Sequence, residues 1–241
     1  MAYVDGFIVA VPKKNLDAYS RLARKAGKIW REYGALDYHE CVADDVKVGK
    51  LTSFPRAVKL KPGETVVFSW ITYKSRKHRD AVMKKVMSDK RLADMMSPKD
   101  MPFDGKRMIF GGFTPMIDER NGSKTGYVDG CLVPVPAGNK EAYRELAAKT
   151  AALFKEYGAT RVVEAWGDDV PDGKVTDYKG AVKATPDEKI VYSWVEWPSK
   201  QVRDEGWKKM MEDARMKDHQ MPFDGKRMIY GGFSPILDVR G

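Results

Sequence analysis

The sequence predicts an α+β fold: two ferredoxin-like β-α-β-β-α-β repeats packed sheet to sheet about a pseudo-twofold axis. Three observations predict it. Met-Pro-Phe-Asp-Gly-Lys-Arg-Met-Ile occurs at Met101–Ile109 and again at Met221–Ile229, each copy leading through one aromatic residue into Gly-Gly-Phe. Identity of that length marks a tandem duplication. Within each copy the apolar spacing switches between strand and helix periods in the order of the split β-α-β unit. Both faces of the predicted strands are apolar, so the sheet face that the helices leave bare also needs a cover.

The first strand is Tyr3–Val11, aliphatic and closed by Pro12. One of its faces carries Phe7, Val9 and Val11, and the other Val4, Ile8 and Ala10. Asn15 then caps a helix whose apolar positions are Tyr19, Leu22, Ala23, Ala26, Ile29, Trp30 and Tyr33, with Gly34 placed to end it. The second copy repeats this from Asn139 to Gly158. A strand over Leu36–Ala43 follows, then a polar loop to Gly63. Thr65–Tyr73 is the third strand, rich in β-branched and aromatic residues. Ser75, matched by Ser199, is an N-cap for a second helix reaching Asp89. The last strand covers Lys106–Phe113 after the Asp104-Gly105 turn. The repeats span 1–118 and 127–241, joined by a linker at 119–126 that reads Glu-Arg-Asn-Gly-Ser-Lys-Thr-Gly.

Composition bounds the function. Hydrophobic residues make up 43% and charged residues 32% of the 241, a balance that supplies real cores without an apolar run of membrane length. Cys41 and Cys131 occupy non-equivalent positions, which argues against a disulfide or metal framework and for a reducing, cytoplasmic setting. Asn121-Gly122-Ser123 is read as a turn. The net charge of +9 permits contact with anions, yet Arg21, Arg24, Lys25, Lys28 and Arg31 fall on the predicted water-facing side of one helix. Nucleic acid is therefore not the expected partner.

The chemistry-bearing residues are few. His39, His78 and His219 have no histidine twin in the other repeat, so neither a metal nor a haem is expected, and no cofactor is assigned. His39 and Cys41 share a strand face while Glu40 points away; Cys41 is read as a buried structural thiol. Carboxylates recur instead: Glu40, Asp44 and Asp45 match Glu164, Asp168 and Asp169 at the end of the second strand. Asp5 and Asp129 sit inside the first strand, where an unpaired charge is costly. Lys106-Arg107 and Lys226-Arg227 are their candidate partners. Together with Asp104 and Asp224 these groups read as an ion-pair network that locks the repeats to each other, or as the polar wall of a cavity. Phe68, Trp70, Tyr192 and Trp194 are expected to face the interior between the sheets as the aromatic lining of a small-molecule site, with Asp5 and Asp129 as its polar groups.

The quoted Tyr-Val-Asp-Gly-Phe opening, Arg31-Glu32-Tyr33-Gly34-Ala35, Glu40–Asp45, Thr52-Ser53-Phe54-Pro55, Val67-Phe68-Ser69-Trp70 and the nonapeptide resemble the DUF1428 (YbaA-like) family over nearly the whole chain. The resemblance implies a dimeric α+β barrel, normally built from two single-repeat chains and fused here into an internal pseudo-dimer that is open to further self-association. It implies no defined activity. The wider barrel superfamily is similar to antibiotic-type monooxygenases, haem-degrading enzymes, lactone isomerases and stress proteins. Three functions stay open: binding or transforming a small aromatic or carbonyl-bearing molecule between the repeats, binding RNA through Tyr3, Phe7 and Phe68, or a non-catalytic, stress-related structural role.

Overall fold

The computed structural model describes residues 2–95, 97, 101–122, 124–216 and 220–240. The first repeat contains β1 (Tyr3–Pro12), α1 (Leu16–Glu32), β2 (Asp37–Asp45), α2 (Phe54–Ala57), β3 (Glu64–Tyr73), α3 (Arg76–Met87), α4 (Lys90–Met95) and β4 (Ile109–Arg120). The second contains β5 (Tyr127–Pro136), α5 (Lys140–Glu156), β6 (Arg161–Asp169), α6 (Tyr178–Ala181), β7 (Glu188–Trp197), α7 (Lys200–Glu212) and β8 (Ile229–Arg240).

The eight strands close into one antiparallel barrel in the order β1-β3-β2-β8-β5-β7-β6-β4. Stepping four places along that order exchanges each strand for its twin, which is the pseudo-twofold relation. The repeats therefore meet edge to edge, through β2 with β8 and β4 with β6, and among the described residues no open sheet edge remains.

The last strands make this closure, and they differ from expectation. Gly105–Arg107 is a 3-10 turn, not the start of a strand, and β4 continues seven residues beyond Phe113. Its first part pairs with β1 and the remainder with β6 of the other repeat, a partner invisible to local sequence. Pro115 is accommodated at a register shift between Pro115 and Ile117. Glu119 and Arg120, expected in the connection, are the end of β4.

Local signals decide most of the helix ends. Ser75 and Ser199 accept from the amides of His78 and Val202 as N-caps. Gly34 and Gly158 end α1 and α5 at φ of 110° and 104°. Asn15 and Asn139 do a different job from the one expected. Their side chains cap no helix; each donates to a signature carbonyl, Pro102 at 2.9 Å and Pro222 at 2.8 Å.

Strand alternation sorts the core. Val4, Ile8, Phe68, Trp70 and Phe113 share one interior cluster with Val128, Leu132, Tyr192, Trp194 and Phe233. Tyr3, Val9 and Val11 face outward beneath the helices, in separate clusters. Gly6 and Gly130 make room for the central rings: a Cβ on Gly6 would stand 2.8 Å from the Tyr192 ring, and one on Gly130 2.9 Å from Phe68.

Candidate functional site

The barrel interior is filled by paired rings. Phe68 stacks on Tyr192, with centroids 4.6 Å apart and planes 5° from parallel. Trp70 stacks on Trp194 at 4.7 Å and 26°. All four are fully buried, and none lines the recesses described below. The aromatic lining expected around a cavity is a ring-on-ring core between twin positions. Of the three rings considered for RNA, Phe68 is buried in this core, Tyr3 is buried beneath the helices and Phe7 is half-buried there, so they do not form the exposed stacking platform that an RNA-binding sheet requires.

Asp5 and Asp129, expected in the interior, lie on the outer face of the barrel. Odd positions of β1 point out, so Asp5 accepts from Arg79 of α3 at 2.8 Å and from the Tyr73 hydroxyl. Burial pushes its carboxyl up to about 6 despite the guanidinium. Asp129 accepts from Arg203 of α7 and from the Trp197 and Trp207 indoles at 2.8–2.9 Å. The partners are helix arginines, not the signature Lys-Arg pairs.

Those same arginines cross the repeat boundary. Arg79 also reaches Asp169 at 2.9 Å, and Arg203 reaches Asp45 at 3.3 Å. Asp44 accepts from Tyr127 and Lys200, while Asp168 accepts from Tyr3 and Arg76. The four strand-end carboxylates thus tie each β2-type strand to the other repeat's first strand and second helix.

Asp104 and Arg107 do not join the halves. Arg107 binds Glu64, Asp104 and the Lys59 carbonyl, all within its own repeat, and Arg227 does the same with Glu188, Asp224 and the Lys183 carbonyl. Lys106 and Lys226 contribute backbone amides to the Asp104 and Asp224 turns. The signature closes on residues too near in the fold, and too far in sequence, for the motif itself to reveal them.

Glu40 and Glu164 also face outward, under α1 and α5. Glu40 accepts from the hydroxyls of Tyr19, Tyr38 and Ser69 and faces no cation within ion-pair distance among the described residues; burial raises its carboxyl. Glu164 has Tyr143 at 2.8 Å, but Val162 replaces the second phenol. Burial pushes it up to about 7.

At the barrel end beyond the tryptophans the twins differ in chemistry. His39, Asp37 and Thr72 correspond to Val163, Arg161 and Glu196. His39 stacks on Trp70 at 4.6 Å and sets Nδ1 3.3 Å from Asp238; burial lowers it to about 4, so the ring is neutral. Burial pushes the Glu196 carboxyl up, but Arg161, Thr125 and Arg240 outweigh it and hold it at about 2. His78 lies on α3 and accepts from the Lys74 amide, and Cys41 and Cys131 point to opposite faces of the barrel wall. His219 lies outside the described residues. Among the described residues no group of three or more His, Cys, Asp or Glu is placed to hold a metal.

Two recesses open to solvent at the repeat boundary. One, of about 140 Å³, is bordered by Asp45, Arg203 and the exposed Tyr230. Its Asp45 and Arg203 are already paired with each other. The other, of about 290 Å³, lies where α2 and α6 pack together over the opposite barrel end. Twin residues face each other across it: Leu51 and Val175, Ala57 and Ala181, Lys59 and Lys183. By sequence alone this stretch is expected to be a loop. Ser53 and Asp177, each accepting from the amide three residues on, cap the two short helices, and Pro55 sits in the first turn of α2.

Residues 2–105 and 126–225 each match the protein family of unknown function DUF1428. The chain belongs to this family, twice over. YbaA of Escherichia coli K12, an uncharacterized protein, is 64% identical over 114 residues, which are 97% of its length and 46% of this chain. One YbaA length thus corresponds to one DUF1428 repeat. Among solved structures, a candidate monooxygenase from Fusobacterium nucleatum superposes with a TM-score of 0.63 at 9% identity, covering 99% of this chain and 94% of its own. An anthrone oxidase-like protein does so with 0.54 at 12%, covering 99% and 93%. These likenesses show the fold: the two DUF1428 repeats assemble one α+β barrel of the dimeric type within a single chain.

Proposed function

We propose that this DUF1428 chain binds a small carbonyl-bearing or aromatic molecule between its two repeats, in the cleft over α2 and α6. The observation that carries the reading is the contrast between the two places where the repeats meet. The interior is occupied by its own rings, whereas the cleft is an open recess of about 290 Å³ built from both repeats. That volume lies at the lower edge of what small-ligand sites use. Leu51 and Val175, 41% and 39% exposed, supply apolar walls above the buried Ala57 and Ala181. The names of the barrel neighbours, a candidate monooxygenase and an anthrone oxidase-like protein, agree with a small organic ligand by analogy of fold alone.

The proposal is one of binding. Among the described residues the cleft's one acid, Asp177, is engaged by the Gly173 and Gly180 amides, and the lining contains no histidine or cysteine. Phe54 of α2 packs on Phe68 and Phe233, and Tyr178 of α6 on Phe113 and Tyr192, so those interior rings are the base on which the two short helices are set.

A ligand-observed NMR screen of small aromatic carbonyl compounds tests this. Val175→Trp, at an exposed position, fills the cleft without touching the core. Binders are expected to lose their signal with the variant. Binders that persist undiminished in Val175→Trp, and that instead perturb Trp70 and Trp194, would overturn the reading.

A further inference from the structure

We propose that the molecule taken by this cleft is an organic anion, its carboxylate or phosphate held by Lys59 and Lys183 and its apolar body by Leu51 and Val175. The inference rests on the cleft being the binding site, and it adds what the site selects.

Charge points to it first. Lys59 and Lys183 line the cleft from opposite repeats, and Arg56 joins them. None of the three has a carboxylate within ion-pair distance among the described residues; the Arg56 Nε donates to the Gly49 carbonyl instead. The neighbouring Lys179 is neutralised by Asp172 at 2.7 Å. Asp177, the acid in the lining, has one oxygen on the Gly180 amide at 2.6 Å and the other on the Gly173 amide at 3.0 Å. Three cations thus share one small recess with a single carboxylate, an excess of positive charge that an entering anion offsets.

The backbone points the same way. Lys59 and Lys183 are the two non-glycine residues with positive φ among those described, at 50° and 51°. They follow α2 and α6 at the position where glycine is the usual residue because it lacks the Cβ clash. Both repeats nevertheless have lysine there. Both turns are also clamped: Arg107 donates to the Lys59 carbonyl at 3.1 Å, and Arg227 to the Lys183 carbonyl at 2.9 Å. The signature arginines, through their pairs with Glu64 and Glu188, are positioning residues for the two lysine turns.

A hydroxyl completes the set. Thr52 donates to the Arg227 carbonyl at 3.1 Å, but its twin Thr176, in the cleft lining, has a buried Oγ1 with no partner among the described residues. That donor is left to serve a ligand oxygen.

Isothermal titration of the full chain at low salt with benzoate, phenyl phosphate, inorganic phosphate and neutral benzamide tests the assignment. Benzoate and phenyl phosphate are expected to bind about tenfold more tightly than benzamide and than inorganic phosphate, with affinity falling as salt is added. The diagnostic variant is Lys59→Gly/Lys183→Gly. It removes both cations and also relieves the left-handed backbone, so its urea midpoint should hold or rise while anion affinity falls about tenfold. Lys59→Gln/Lys183→Gln should weaken binding equally without the gain in stability. Benzamide binding as tightly as benzoate, or glycine variants with undiminished affinity, would overturn the anion assignment while leaving a ligand site in the cleft. If none of the four probes binds at millimolar concentration, the assignment and the reading beneath it both fall.

Discussion

Trp70 lies flat against Trp194, centroids 4.7 Å apart, and each occupies the same place in its own repeat. The pseudo-twofold axis therefore runs between two identical side chains, and the barrel is held shut along it by rings from opposite halves. The indoles are core, and their replacement is expected to read as lost stability. Trp70→Ala and Trp194→Ala should each cost about 3–5 kcal/mol in urea unfolding, and Trp70→Phe clearly less. Alanine variants that lose binding at unchanged stability would return the interior to candidacy as a site.

The cross-repeat arginines divide by burial. Arg203 is largely buried and serves both Asp129, itself buried, and Asp45 of the other repeat. Arg203→Met leaves the Asp129 charge without its cation and should cost about 3–5 kcal/mol. Arg76→Met removes an exposed, solvent-screened partner of Asp168 and should cost far less. Equal losses from the two would contradict the account of the repeat boundary.

Glu164 makes the folded state sensitive to pH. Its pKa rises from an ordinary 4.5 to about 7 on folding, so the folded chain holds this proton more tightly than the unfolded chain. The associated stability is complete below about pH 4.5 and is lost as pH rises through about 7. Glu164→Gln keeps an acceptor for Tyr143 but carries no charge. It should be neutral near pH 4.5 and more stable than the parent by about 1–2 kcal/mol near pH 8. Denaturant midpoints at the two pH values provide the comparison; a gain that is independent of pH would contradict the assignment.

His39 acts in the opposite direction. Burial lowers it from 6.5 to about 4, so its contribution is present above about pH 6.5 and is lost as pH falls through about 4. His39→Val installs the residue that its twin Val163 already is. Whatever its constant cost, the variant should lose less stability than the parent between about pH 6.5 and 4. Parallel acid-unfolding curves would rule this out.

How much of this the chain announces in advance follows from where each signal acts. Helix α1, the Ser75 and Ser199 caps and the duplication itself are local patterns, and the structure has them where the sequence predicts. Alternation puts Asp5 on the Phe7 side of β1, but both faces of that strand are apolar, so its outward direction was not legible. Barrel closure was not legible either: Thr114–Arg120 reads as strand only when β6 lies beside it. The cleft was hidden for the same reason. Leu51, Lys59, Val175 and Lys183 are loop residues in their own repeats, and they converge only because β2–β8 and β4–β6 pairing brings α2 onto α6. Lysine at a helix C-terminus is ordinary by sequence, and its left-handed backbone is visible only in the fold.

The central claim is that the ligand site lies over α2 and α6 and not within the ring-filled barrel. A crystal structure of the chain soaked with phenyl phosphate tests it most directly. The account predicts density for one molecule per chain, its phosphate between Lys59 and Lys183 and its ring between Leu51 and Val175. Density instead between Trp70 and Trp194, or at the Asp45–Arg203 recess with the cleft empty, would contradict it.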